Sequence, residues 1–141
     1  MNADSSSQTR FTFKKEERLS GKKLIDELFE NGSSFYLQPF RILFLEKKME
    51  SLSSAQVLIS VPKKNFKRAV DRNKIKRLIR ESYRVNKFLL YSSLERNNKQ
   101  LAIGILYTSK IMEPFSLIQE KIIAVLTKLA QQYDVVEKNS A

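Results

Sequence analysis

The alternation of hydrophobic and polar residues predicts a first amphipathic helix shortly after residue 20. Apolar side chains repeat there at positions i, i+1, i+4 and i+5, which places them along one side of a helix. These positions are Leu24, Ile25, Leu28 and Phe29. Ser20 is a residue type that caps helix N-termini. Asn31-Gly32 predicts the end of the helix, with Gly32 in the left-handed conformation that is common at that position.

Three later stretches have the length and composition of β-strands. Residues 35–45 are rich in aromatic and aliphatic side chains, and Pro39 indicates an edge position or a break within them. Residues 55–61 form a second run, which Pro62 ends. Residues 101–107 are apolar throughout, which is consistent with a buried strand.

Two more helices complete the predicted fold. From about Asp71, which could itself be the N-cap, the apolar positions follow a helical period. Pro114 opens the last helix. Its helically spaced apolar residues are Phe115, Ile118, Ile122, Val125, Leu126, Leu129 and Tyr133. The resulting order, α-β-β-(β)-α-β-α, predicts an α+β sandwich with a small sheet packed against helices.

The chain length of 141 residues fits one domain, which we place at residues 11–133. Residues 1–10 are polar and Ser-rich and are interpreted as a disordered tail, and residues 134–141 as a second tail. No apolar run approaches the ~20 residues needed to cross a bilayer. We therefore expect a cytoplasmic protein without a membrane partner.

The composition excludes most enzyme chemistry. The chain contains no Cys and no His, which removes thiol and imidazole nucleophiles, the commonest general base and ordinary zinc sites. The acidic residues are scattered among Lys and Arg without an evident pair. We expect neither a catalytic residue nor a metal ligand in the protein itself.

Positive charge is concentrated in one segment. Between Lys63 and Lys87 there are eleven Lys and Arg residues and two acids, Asp71 and Glu81, which gives +9 of the total +11. On a helical wheel of about 100° per residue, the polar positions share one arc of the segment. They are Arg72, Asn73, Lys76, Arg77, Arg80 and Arg84. The apolar positions Ile75, Leu78, Ile79, Val85 and Leu89 lie on the opposite side.

A solvated helix face usually mixes charges of both signs, whereas like charges here repeat at i, i+4 and repel mildly. Guanidinium groups predominate, and these bind phosphate oxygens in a bidentate manner. A second basic cluster precedes the helix: Lys63, Lys64, Lys67 and Arg68. The segment is therefore interpreted as a surface for a polyanion, most simply RNA.

The same residues resemble a family signature. The stretch Lys63-Lys64, followed by Arg72-Asn73-Lys74-Ile75-Lys76-Arg77-Leu78-Ile79-Arg80, resembles the Lys-Lys pair and Arg-Asn-x-x-Lys-Arg-x-x-Arg helix of the protein component of bacterial ribonuclease P. The resemblance extends from Arg18-Leu19, through the Leu28-Phe29-x-x-Gly32 helix end, to the last helix.

This resemblance implies a protein subunit of an endoribonuclease whose RNA supplies the catalysis. The RNA removes the 5′ leader of precursor tRNA by hydrolysis that depends on Mg²⁺, and it holds these ions mainly itself. The implied partners are ribonuclease P RNA and precursor tRNA, not DNA. The implied fold is a two-layer α/β sandwich like domain 2 of ribosomal protein S5, α-β-β-β-α-β-α, with a left-handed βαβ crossover; base rates alone favour a right-handed one.

The resemblance also implies a cleft for the leader between the sheet and the first helix. The residues assigned to it are Arg18, Phe29, Phe35 and Phe40. Two cleft positions that are often aromatic in the family are Ile25 and Leu43 here. Stacking on leader bases would then come from other aromatics, with Tyr36 and Phe44 as further candidates beside Phe35 and Phe40.

A basic helix also occurs in two other functional classes. A non-catalytic RNA-binding module, such as a ribosomal protein or an RNA chaperone, would share the basic helix and differ in having no leader-dependent binding. A DNA-binding helix-turn-helix protein would need a helix directly before the basic one, where residues 55–61 predict a strand instead.

Overall fold

A four-stranded sheet organises the chain, with helices on both of its faces. The computed structural model describes residues 13–49 and 53–140, so the predicted tail at residues 1–10 lies outside the described residues. The four strands are β1 (Ser33–Leu37), β2 (Phe40–Glu46), β3 (Ala55–Ser60) and β4 (Leu101–Tyr107). Their spatial order is β1-β2-β4-β3. Strand β4 pairs antiparallel with β2 and parallel with β3.

The strand predicted at residues 35–45 is in fact a hairpin. Strands β1 and β2 pair antiparallel, and the turn between them contains a cis peptide bond at Gln38–Pro39. Pro39 had indicated this break, and the prediction at residues 101–107 matches β4 residue for residue. The parallel β3/β4 pair confirms a crossover connection; its left-handed sense remains a prediction from the family.

The first helix, α1 (Lys22–Asn31), corrects two expectations about its ends. Its N-cap is Gly21 and not Ser20, and no side chain caps it. Gly32 has a φ of −72°, so it is not in the left-handed conformation. Glycine is needed there for space, because a Cβ atom would overlap the carbonyl oxygen of Leu28.

Three helices follow: α2 (Ala69–Asn86), α3 (Phe88–Arg96) and α4 (Phe115–Ser140). The N-cap of α2 is Arg68 and not Asp71, which lies in the first turn, where the helix dipole favours a carboxylate. Helix α3 was not predicted. Residues 134–140, interpreted as a tail, continue α4.

Successive side chains of the strands point to opposite faces of the sheet, and each face packs in its own apolar core. On one side, which we call the helix-covered face, the sheet packs against α2, α3 and α4. Its buried strand residues are Phe40, Ile42, Phe44, Ala55, Val57, Leu101, Ile103, Ile105 and Tyr107. The other side, the α1 face, is covered by α1 alone and has a smaller core of Leu19, Leu28, Leu43 and Ala102. Because α1 is short, the α1 face is the more open one.

The close approach at the end of α1 leads to a stability prediction. We expect Gly32→Ala to destabilise the protein by about 1–3 kcal/mol, the usual cost of forcing extra volume into a packed site. The added methyl would also lie 3.1 Å from the Phe44 carbonyl oxygen of β2. Thermal or urea unfolding of the variant measures the effect.

Gly21→Ala is the matched control, since a Cβ there has no atom within 4 Å and φ is −74°. Its effect should stay below about 1 kcal/mol, because the poorer N-cap is partly offset by the lower entropy of the unfolded chain. Equal destabilisation by the two substitutions would contradict the role assigned to Gly32.

Candidate RNA interface

Helix α2 presents a polar arc and buries the opposite side. Ile75, Ile79 and Tyr83 are at most 1% exposed in the helix-covered core, and Leu78 packs against them while partly buried. The predicted polar positions are all exposed or partly exposed. We call them the basic arc: Arg72, Asn73, Lys76, Arg77, Arg80 and Arg84. The orientation predicted from the helical wheel is confirmed.

A fixed loop extends the basic arc beyond the N-terminus of α2. Its four predicted cations, Lys63, Lys64, Lys67 and Arg68, are all exposed. Phe66 between them is buried, with its ring centroid 6.0 Å from that of Tyr107 on β4. Arg72 Nη1 donates to the carbonyl oxygens of Phe66 and Lys67 at 2.8 and 2.9 Å. One guanidinium of the arc therefore also holds the loop, a role that the sequence pattern did not indicate.

The cations in the middle of the arc lack protein partners. Within the described residues, Lys76, Arg77 and Arg80 make no hydrogen bond or ion pair. At the far end, Arg84 donates to the carboxylate of Glu81 and forms an ion pair with it. This hydrogen bond holds the pKa of the Glu81 carboxyl below its usual value. The free cations are therefore available to an anion from outside.

The α1 face carries the exposed aromatic residues suited to a single-stranded ligand. Phe29 on α1 is 50% exposed, and Tyr36 on β1 is 67% exposed. Arg41 on β2 lies directly opposite Tyr36, with its guanidinium carbon 6.0 Å from the ring centroid. The Arg41 Nε is buried without a hydrogen-bond partner in the described structure. We call Phe29, Tyr36 and Arg41 the α1-side surface.

Two predicted cleft residues are on the wrong side of the sheet. Phe40 is fully buried on the helix-covered face, with its ring 5.9 Å from Tyr107. Phe35 contacts Phe44 on that face, and the Lys128 ammonium of α4 lies 4.7 Å from its ring centroid. The pleat of the hairpin turns these side chains away from α1. Tyr36, one residue along β1, points to the α1 face instead.

The remaining cleft candidate, Arg18, lies at the free edge of β3. Its backbone forms a bridge with Val57, and its guanidinium covers the Phe13 ring at 5.6 Å. Phe13 in turn makes an edge contact with Tyr83 of α2. The next residue, Leu19, belongs to the core under α1. Arg18 therefore lies at the sheet edge, between a residue that contacts α2 and one that packs under α1.

Within the described residues, no group of three or more acidic side chains could hold a metal ion. No helix of that part of the chain is long and apolar enough to cross a membrane. The geometry presents two exposed surfaces, one of cations and one of aromatic residues. The exposure of the cations agrees with the helical wheel, and of the aromatic residues assigned to the cleft only Phe29 lies on the α1 side.

Comparisons with known proteins agree with this geometry. The family model described as Ribonuclease P matches residues 13–130. The ribonuclease P protein component of Porphyromonas gingivalis is 32% identical over 120 residues, which are 85% of this chain and 88% of the relative. That of Chlorobium phaeobacteroides is 33% identical over 122 residues, covering 79% of this chain and 83% of the relative.

Solved structures share the fold. The RNase P protein from Thermotoga maritima superposes with a TM-score of 0.64 at 26% identity, over 79% of this chain and 96% of that one. The Staphylococcus aureus RNase P protein gives a TM-score of 0.63 at 25% identity, over 79% and 94% of the two chains. Because the family model matches most of this chain, the chain belongs to the ribonuclease P protein family.

Proposed function

We propose that this member of the family binds the RNA subunit of ribonuclease P through the basic arc and the loop before it. The observation that carries the proposal is that Lys76, Arg77 and Arg80 have no protein partner among the described residues, on a helix whose other side is buried in the core. From Arg72 to Arg84 the arc spans about 18 Å of helix axis, since each residue rises ~1.5 Å. Several backbone phosphates of a folded RNA fit along that length.

We further propose that the α1-side surface binds the 5′ leader of precursor tRNA in the cytoplasm. The rings of Phe29 and Tyr36 offer stacking platforms that accept any base, as a leader of variable sequence requires. The partly exposed guanidinium of Arg41, beside the Tyr36 ring, offers positive charge to a phosphate of the same strand. The two surfaces would hold the catalytic RNA and its substrate together on one small protein.

The proposal leaves the hydrolysis to the RNA, with its Mg²⁺ ions bound mainly by RNA oxygens. Mg²⁺ prefers several oxygen ligands in near-octahedral geometry, and the described residues provide no cluster of acids for it. What the protein contributes is positive charge between two RNAs that repel each other. We therefore expect the assembled complex to mature precursor tRNA at Mg²⁺ concentrations too low for the RNA alone.

The first prediction concerns assembly on the RNA subunit. Lys76→Ala and Arg80→Ala should each weaken binding by about 1–2 kcal/mol, because each removes a charged contact to a phosphate. Each should also lower the slope of log affinity against log salt by about one. Titration of labelled RNA at several salt concentrations measures both quantities, and low-Mg²⁺ maturation of precursor tRNA should fall in parallel.

Lys121→Ala, on α4, removes the same charge away from the arc and is the control. Thermal unfolding should show all three variants folded, since exposed positions change stability by under ~0.5 kcal/mol. If Lys121→Ala weakened RNA binding as much as Lys76→Ala and Arg80→Ala, binding would depend on net charge and not on the arc.

The second prediction separates the α1-side surface from the basic arc. In the assembled complex, Tyr36→Ala should lower the gain in tRNA affinity that the 5′ leader provides by ~1–3 kcal/mol, the value of one stacked base. Tyr36→Phe keeps the ring and should retain the gain. Binding of precursor and mature tRNA is compared for each variant.

Affinity for the RNA subunit should be unchanged in both Tyr36 variants, because the basic arc is on the other side of the sheet. A wild-type complex that bound precursor and mature tRNA equally would refute leader binding and favour a general RNA-binding role.

A further inference from the structure

Glu17 and Lys87 are the charged side chains that the described part of the chain buries. Lys87, between α2 and α3, donates to both carboxylate oxygens of Glu17 at 2.7 and 2.8 Å. The Tyr91 hydroxyl of α3 donates to Glu17 Oε2 at 2.6 Å, and the Lys14 backbone N–H to Oε1 at 2.9 Å. Burial raises the pKa of the Tyr91 hydroxyl, so it remains a donor. We call this group the Glu17 cluster.

Such a cluster is a poor way to gain stability. Removing two charges from water costs several kcal/mol each, and apolar replacements of buried ion pairs are often equally or more stable. The pair instead fixes the position of Glu17, because a carboxylate with four short hydrogen bonds cannot move. It joins two segments that are 70 residues apart in sequence.

The segment fixed in this way runs along the free edge of β3. The Leu19 N–H donates to the Val57 carbonyl oxygen at 3.0 Å, and the Gln56 side-chain amide donates to the Glu16 carbonyl oxygen at 3.1 Å. Glu17 and Leu19 are each 4% exposed, so Arg18 is held between two buried neighbours. Its own side chain remains exposed.

Arg18 lies between residues that contact two different helices. Its guanidinium covers Phe13, which contacts α2, while the adjacent Leu19 packs under α1. β3 is an edge strand and the strand that α2 contacts, so a leader strand that passes from the basic arc around this edge to the α1 face meets Arg18. A fixed guanidinium there can bind one of its phosphates in a bidentate manner.

We propose that the Glu17–Lys87 pair is a positioning device for Arg18, which binds a phosphate of the 5′ leader at the edge of β3. The proposal rests on the leader binding proposed above. Arg18 touches the substrate, and Glu17 and Lys87 act through it.

The test is a mutant cycle in the complex with ribonuclease P RNA. The double substitution Glu17→Gln/Lys87→Met removes the ion pair without leaving a buried charge unpaired. It should reduce the affinity gain from the leader about tenfold, and so should Arg18→Ala, since each removes one charged hydrogen-bonded contact. The variant that carries all three changes should lose no more than either, because both act on the same contact.

Three controls accompany the cycle. Amide hydrogen exchange of Leu19 in the free protein reports the docking of the segment directly, and should become at least about tenfold faster in Glu17→Gln/Lys87→Met but not in Arg18→Ala. Lys99→Met/Glu46→Gln removes an exposed ion pair and should change neither quantity. Arg18→Lys keeps the charge but loses the two parallel N–H donors of the guanidinium, and should retain only part of the affinity gain from the leader.

Additive losses in the triple variant would overturn the proposal, since the pair would then act independently of Arg18. So would faster Leu19 exchange with an unchanged leader gain, or unchanged exchange in Glu17→Gln/Lys87→Met. A wild-type complex without any leader gain would refute the proposed leader binding itself, whereas a normal gain that is insensitive to Arg18→Ala would refute only the present inference.

Discussion

The burial of one side of α2 is the interaction on which the other features depend. Ile75 and Ile79 are almost fully removed from water, and each such side chain contributes about 1.5–3 kcal/mol. The like charges at positions 72, 76, 80 and 84 form three i,i+4 pairs, which oppose the helix by only about 0.2–0.5 kcal/mol each. Core packing therefore outweighs the repulsion, and it also determines which side of the helix faces outward. A free helix of this sequence would have no such fixed side.

The sheet separates two exposed surfaces, one on each of its sides. The helix-covered face supports α2 and its cations, while the α1 face, covered by one short helix, leaves Phe29 and Tyr36 exposed. The segment around Arg18 runs along the edge of β3. The sheet thereby holds the cations of the basic arc and the exposed aromatic residues in one rigid frame.

The sequence predicted those features that depend on local periodicity. The two sides of α2 and the extent of β4 follow from helical spacing and from an uninterrupted apolar run, and both agree with the structure. The face of the sheet to which each side chain of β1 and β2 points could not be predicted in the same way. Phe40 to Leu45 is apolar on both faces of the sheet apart from Arg41, so alternation carried little information, and Phe35 and Phe40 were assigned to the wrong side.

Other features needed contacts between distant residues. Nothing in the residues around Glu17 or Lys87 indicates that they meet, and the loop contact of Arg72 depends on how Phe66 packs against Tyr107. Gly32 looked like a residue of unusual backbone conformation, whereas its role is to leave room for the Leu28 carbonyl oxygen. The first two contacts belong to the tertiary structure, and the third depends on the path of the chain where α1 ends.

The central claim is that the basic arc faces the RNA subunit in the assembled complex. Because the chain contains no Cys, a single cysteine at Asn73 in the arc, or at the exposed Gln131 on α4, can carry an iron chelate that cleaves nearby RNA by hydroxyl radicals. The account predicts strong cleavage at a few adjacent nucleotides of the RNA subunit from residue 73 and weak, dispersed cleavage from residue 131. Equal cleavage from both sites, or stronger cleavage from residue 131, would contradict it.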